Sequence, residues 1–204
     1  CLGRASLLAL HPENHNHYGL METRMQPDQV SIATQGLLKG RRVLVTGGAR
    51  GLGLEFARHA GRAGAAVVIA DILANELHAA AEDLRAEGIQ AQSVVFDQSS
   101  PESITDCVVQ AAQWLGGLDG LVNNAAITNS GGKALNELDI DVWDKVMAVN
   151  VRGTWLMSRA CWPALKASGR GSIVNLASDT SLWGAQNLLA YVASKGAVIA
   201  MSRS

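Results

Sequence analysis

Tyr191 and Lys195 stand four residues apart in the run YVASK, a spacing that stacks both side chains on one face of a helix. The phenol of a free tyrosine has a pKa of about 10, too high to exchange protons readily near neutrality. An ammonium about 4 Å away contributes on the order of 4 kcal/mol at an effective dielectric of about 20, and even half of that moves a phenol toward service as an acid/base. Taken alone, YxxxK reads as an ordinary half-buried tyrosine beside a solvated helix lysine. Its meaning depends on the residues around it.

Other residues able to do chemistry fall at the ends of apolar runs. TGGARGLG, residues 46–53, follows RVLVT, and Gly47, Gly51 and Gly53 let the backbone turn tightly and approach a pyrophosphate at a helix N-terminus. The spacing TGxxxGxG departs from the common GxGxxG fingerprint. Asp71 closes AAVVIAD, where a carboxylate can accept hydrogen bonds from adenosine ribose hydroxyls and would repel a 2′-phosphate. Ile72 follows it and neutralises nothing, so NAD is expected over NADP; Arg50, inside the glycine loop, argues the other way. Asp97, closing QSVVFD, is placed to meet an adenine amino group or simply to shape a turn. Asn123-Asn124-Ala125-Ala126 offers small residues against which a flat ring can lie. Asn150 sits within a helical pattern among Val146, Val149 and Val151, an apolar setting in which an amide competes for backbone bonds.

The elements that must position these residues alternate. RVLVT, AAVVIAD, QSVVFD, GLVNN and SIVNL are short runs rich in β-branched residues, the pattern of strands buried on both faces. Leu52, Phe56, Ala60 and Ala63 recur near helical spacing after the first run, and Leu77, Ala81 and Leu84 do so after the second. Ser100-Pro101-Glu102 reads as N-cap, N1 proline and N2 acid of a third helix. The pattern predicts a fourth helix over 141–167 and a fifth from 188 onward. Such alternation specifies an α/β fold, a doubly wound parallel sheet of Rossmann-like, three-layer αβα form. Right-handed crossovers then bring the carboxyl ends of the strands to one edge, where ligands bind.

Composition narrows the partners. The chain has 204 residues, of which 48% are hydrophobic and 17% charged, enough for one sizeable core, which we place over residues 40–204. A net charge of −1 with no dense basic stripe excludes nucleic acid as the expected partner and leaves small molecules or other protein chains. Cys1, Cys107 and Cys161 form no CxxC, so neither a disulfide framework nor a metal centre is expected, and a reducing cytoplasm fits best. No apolar stretch approaches the roughly 20 residues needed to span a bilayer. Residues 1–39 show no sustained period and read as a disordered or artefactual extension, with Met21 or Met25 as alternative starts and His11, His15 and His17 solvated rather than metal-binding.

With these residues in place, the chain resembles the short-chain dehydrogenase/reductase family, of the single-domain, non-extended type, from about residue 38 to the end. TGGARGLG resembles its cofactor loop, NNAA its NNAG motif with Ala126 in place of glycine, and YVASK its YxxxK. The resemblance implies that Tyr191 is the acid/base, that Lys195 modifies it and holds a ribose, and that Ser178 holds the substrate oxygen. Ser181 and Thr180 are rivals for the serine role at the wrong spacing. It further implies that Asn150 keeps a water in a proton relay, and that Gly47, Arg50, Gly51, Leu52, Gly53, Asp71, Asp97, Asn124 and Ala125, with Tyr191 and Lys195, hold NAD. The implied reaction is reversible hydride transfer between the nicotinamide and a secondary alcohol or ketone carbon. An NADP-dependent ketone reductase of the 3-oxoacyl type is the alternative, and a non-catalytic dinucleotide-binding fragment is the alternative of another class. The family pattern continues with two further strands and a helical substrate lid, so the 204-residue chain by itself is expected to be unstable and poorly active. It also implies a homodimer or homotetramer for a complete protein, with Trp143, Trp155, Met157 and Trp162 supplying apolar surface. Trp183, Gln186 and Asn187 are expected near the substrate.

Overall fold

Strand and helix alternate along the chain in the computed structural model, which describes residues 36–129 and 132–204. The five apolar runs are the five strands among the described residues: β1 (Arg42–Thr46), β2 (Ala66–Asp71), β3 (Ala91–Val95), β4 (Gly120–Asn123) and β5 (Ser172–Asn175). They form one parallel sheet in the order β3-β2-β1-β4-β5, with Thr46 beside Ala70 and Val45 beside Val122. The chain winds outward from β1 to β3, then crosses back to β4. The carboxyl ends of β1 and β4 therefore flank the switch point at which open α/β sheets bind ligands.

Alternate residues of the central strands feed two apolar layers. Leu44, Val68 and Ala70 pack with Ile104, Cys107, Met157 and Cys161, whereas Val43, Val45, Val67 and Ile69 pack with Ala57, Leu77 and Leu84. The first layer belongs to α3 (Pro101–Leu115) and α5 (Thr154–Ala167), the second to α1 (Gly51–Arg62) and α2 (Ala74–Ala86). Helices on both faces explain why the β2 run is apolar without a polar alternate. Each buried Val, Leu, Ile or Met side chain among them contributes about 1.5–3 kcal/mol relative to exposure. The start of α3 follows its sequence signature: Ser100 Oγ accepts the Ser103 N–H at 3.2 Å and Pro101 is the first helical residue.

The predicted fourth helix is not one regular helix. It consists of α4 (Ile140–Met147), a π-helical turn (Ala148–Gly153) and α5. Wide turns of this kind frequently mark functional positions, and the side-chain bonds of Asn150 give this one a local reason to form. A single turn, α6 (Thr180–Trp183), which the sequence pattern did not mark, precedes α7 (Leu189–Arg203). Met157 lies wholly in the core rather than on an outer face, while Trp155 and Trp162 are 48% and 58% exposed.

The amino ends of the central strands are held by charge. Arg42 Nε and Nη2 donate to the Asp119 carboxylate at 2.8 and 3.0 Å, and Arg170 Nε and Nη2 donate to it at 3.0 and 3.2 Å. Hydrogen bonding from Arg42 first, and from Arg170, outweighs the opposing cost of burial and holds the Asp119 carboxyl far below the usual carboxylate range.

Cys1, His11, His15, His17, Met21 and Met25 lie outside the described residues. Leu38 donates its N–H to the Ala63 carbonyl at 2.9 Å and packs against the core, so contact with the fold begins ahead of β1. Among the described residues no helix is long and apolar enough to cross a membrane, and no cluster of His, Cys, Asp and Glu could hold a metal ion.

Candidate active site

The glycine loop is built by steric demand. Gly47 has φ +67° and a Cβ there would lie 2.7 Å from Asn124 Nδ2; a Cβ on Gly53 would lie 2.0 Å from the Gly47 carbonyl oxygen. Both positions exclude any side chain, which leaves bare backbone at the start of α1 for a ligand to approach. Gly51 has φ +57° in open space, so it meets a conformational requirement alone. Arg50 caps α1 with extended backbone and no side-chain cap bond, its side chain exposed. The Leu52 side chain is 66% exposed, so what the loop offers at that position is backbone.

Thr46 welds this loop to the end of β4. Its Oγ1 accepts the N–H groups of Asn124 and Ala125, both at 3.1 Å, while Asn124 Nδ2 donates to the carbonyls of Thr46 and Gly47 at 3.0 and 3.1 Å. Asn124 thus acts as a strut beneath the glycine loop. Asp71 extends the brace toward β2, with Oδ2 accepting the Ala49 N–H at 3.1 Å and Oδ1 accepting the Leu73 N–H at 3.2 Å. Asp97 Oδ1 accepts the Ser99 N–H and Oγ–H at 2.8 and 2.7 Å, shaping the turn after β3. Gly47, Asp71, Asp97, Ala125 and Val146 help to line a cleft of about 550 Å³ at the carboxyl edge of the sheet. A crowded glycine loop, a helix N-terminus and two carboxylates at a cleft of this size fit a dinucleotide.

Asn150, Ser178, Tyr191 and Lys195 are not among the residues lining that cleft. Three of them belong to one cross-linked unit beside it. Asn150, 1% exposed, accepts the Ile127 N–H at 2.8 Å and donates to the Ile127 carbonyl and to Ser194 Oγ, both at 3.0 Å. Ser194 Oγ donates in turn to the Tyr191 carbonyl at 2.7 Å. Asn150 therefore connects the loop after β4 to the helical turn that carries Tyr191, through a serine lying inside YVASK itself. Lys195 is buried and donates from Nζ to the Leu176 carbonyl, just beyond β5, at 2.5 Å. Its ammonium lies 5.8 Å from the centroid of the Tyr191 ring, and burial pulls the lysine's own pKa below the ordinary value.

Ser178 is bonded within its own loop. Its Oγ accepts the Thr180 N–H at 3.3 Å and the Thr180 hydroxyl at 2.8 Å, and its carbonyl accepts the Ser181 hydroxyl at 2.6 Å. The two rival hydroxyls thus serve the Ser178 turn. With both lone pairs engaged, the remaining capacity of Ser178 is to donate. Asn187 adopts φ +58°, the one non-glycine residue with positive φ among the described residues, between α6 and α7.

Thr46, Ser194 and Gln98 were not marked as site residues by the sequence. Thr46 and Ser194 lie within the two motifs, and their signal is a hydroxyl beside residues already singled out. Gln98, next to Asp97, buries its amide between the strands and the π turn but leaves Oε1 without a hydrogen-bond partner among the described residues, a burden of about 1–3 kcal/mol for a desolvated acceptor.

Residues 41–204 match the model of the short chain dehydrogenase family. The chain is 37% identical over 166 residues to 2-(S)-hydroxypropyl-CoM dehydrogenase 3 of Xanthobacter autotrophicus, covering 81% of this chain and 64% of that protein. It thus spans under two thirds of that relative's length. Among solved structures, an NAD+-bound xylitol dehydrogenase matches with a TM-score of 0.76 at 32% identity, covering 80% of this chain and 63% of that one. A short chain dehydrogenase from Burkholderia cenocepacia J2315 in complex with NADP matches with a TM-score of 0.75 at 34% identity, covering 81% and 67%. The family model covers the whole sheet with its glycine loop and the helix that bears the Tyr-Lys pair, and the chain belongs to the short-chain dehydrogenase family.

Proposed function

We propose that the chain carries the cofactor-binding and catalytic part of an NAD-linked oxidoreductase that interconverts a secondary alcohol and a ketone. The observation that carries this reading is the buried link from Asn150 through Ser194 to the Tyr191 turn, with Lys195 fixed on the Leu176 carbonyl. A buried lysine whose pKa burial lowers, beside a hydrogen-bonded buried amide, is the kind of arrangement that clusters at functional sites. Gly47, Arg50, Gly51, Leu52, Gly53, Asp71, Asp97, Asn124 and Ala125, with Tyr191 and Lys195, are the residues proposed to hold the dinucleotide. When bound it supplies the hydride acceptor or donor.

In oxidation the Tyr191 phenolate takes the alcohol proton, and in reduction the phenol returns one to the developing alkoxide. Lys195 stabilises the phenolate by its charge. Ser178, turned into a donor by Thr180, supplies a hydrogen bond to the same oxygen. Asn150, hidden from solvent, orders the loop at Ile127 and keeps a water in the proton relay to bulk. The expected outcome for Tyr191→Phe is loss of turnover with NADH affinity within twofold of wild type, measured by alcohol oxidation and by calorimetry. Retained turnover refutes the assignment of the acid/base.

Arg50 favours a second reading, an NADP-linked ketone reductase, because its exposed guanidinium stands at the loop without a cap bond. Asp71 at the end of β2, followed by an apolar Ile72, favours NAD. A reducing cytoplasmic setting fits the buried free thiols Cys107 and Cys161. Pairing of two copies through the outer side of α5 would cover Trp155 and Trp162.

A further inference from the structure

We propose that Gln98 is a positioning residue that couples the dinucleotide platform at the end of β4 to the π turn carrying Asn150. Its functional consequence rests on the oxidoreductase reading above; the coupling itself does not. Gln98 Nε2 donates to the Ala125 carbonyl and to the Val149 carbonyl, both at 3.1 Å. Ala125 belongs to the loop that Thr46 and Asn124 anchor, and Val149 immediately precedes Asn150. One planar amide therefore bridges the two segments that the proposed cofactor and the proton path use. Its orientation is fixed by chemistry, since the flipped amide would set its oxygen against two carbonyl oxygens.

Two further observations support a positioning role rather than space filling. The Gln98 oxygen is buried without a partner among the described residues, and an apolar side chain of similar length would avoid that burden. Gly153, at the other end of the π turn, lies so close that a Cβ there would stand 2.4 Å from the Gln98 carbonyl oxygen and 2.5 Å from its Cγ. The turn is thus seated directly on Gln98, held by the amide at Val149 and by close contact at Gly153. Displacing this side chain moves the Asn150 turn and the Ala125 loop together.

Gln98→Met keeps length and volume and removes both donor bonds. Hydrogen exchange on the full 204-residue chain is expected to speed up about tenfold or more over both 124–128 and 148–153, with β1 and β2 amides within twofold of wild type. Unchanged exchange in either segment, or equal loosening across the whole sheet, overturns the coupling. Should the variant not fold, the wild-type side-chain amide decides by NMR: both Gln98 Nε2 protons should exchange slowly, and exchange at the rate of a solvated glutamine overturns the proposal. In parallel, the NADH dissociation constant of Gln98→Met should rise about tenfold by tryptophan fluorescence, and a constant within twofold of wild type removes the functional consequence. A wild-type chain that does not bind NADH overturns the dinucleotide reading, while the exchange data still decide the coupling.

Discussion

Removing the Asn150 side chain tests the central cross-link directly. Asn150→Ala deletes three hydrogen bonds of 2.8–3.0 Å and leaves the Ile127 N–H and carbonyl without this partner. At about 1 kcal/mol net per bond, the expected loss is about 3 kcal/mol, or about 6–12 °C in melting temperature for a chain of this size. Asn150→Asp separates geometry from volume. It preserves the bond to the Ile127 N–H but points an oxygen at the Ile127 carbonyl and at Ser194, whose hydroxyl hydrogen is already given to Tyr191. Burial raises the pKa of a carboxyl introduced there above its unfolded value. Its protonated form therefore persists in the folded state, and the stability deficit should shrink as pH falls through that raised folded value. The measurement is chemical denaturation of both variants between pH 4 and pH 8, followed by circular dichroism. A loss below about 1 kcal/mol for Asn150→Ala, or an Asn150→Asp deficit that grows in acid, refutes the hydrogen-bond accounting.

Three other outcomes are expected. Asp119→Asn should cost about 2–3 kcal/mol, toward the low end for a broken buried ion pair because Arg42 and Arg170 retain 27% and 46% side-chain exposure. Because the folded pKa of Asp119 is depressed, wild type should lose this contribution as pH falls below about 4 toward the folded value, whereas the variant should show no such acid-sensitive increment in a urea titration. Burial pushes the Cys107 and Cys161 thiols up to about 12, so neither should be alkylated by iodoacetamide at pH 8 in the native protein, and both should be alkylated in guanidinium; rapid native labelling seen by peptide mapping refutes this. Asp71→Ala should weaken NADH binding about tenfold and raise the relative affinity for NADPH; tighter NADPH binding by the unmutated chain would favour the Arg50 reading instead.

Much of the architecture was legible because it depends on local pattern. Five apolar runs between amphipathic stretches bury both faces in a parallel sheet covered by helices, and Ser100-Pro101-Glu102 is a local helix-start signature. The π turn was not legible: 148–153 has acceptable helical periodicity, and its widening accompanies bonds from Asn150 and Gln98 to segments remote in sequence. The same is true of α6, whose single turn carries too little periodic signal to stand out. Met157 could not be separated from Trp155 and Trp162 by composition, because rotation of the helix against α3 decides which of them faces inward.

The sequence by itself determined the chemical inventory: a glycine loop after a strand, acids at two strand ends, an asparagine, a serine and a Tyr-Lys pair in a fixed order. Those features follow from residue type and spacing, which act over a few bonds. Only the tertiary structure decided who holds whom. Lys195 spends its ammonium on the Leu176 carbonyl, Thr180 serves Ser178, and Asn150 reaches the Tyr191 turn through Ser194. Hydrogen bonds between distant segments depend on ångström-scale register between elements, and register is set by how two apolar layers pack across the sheet rather than by any one motif.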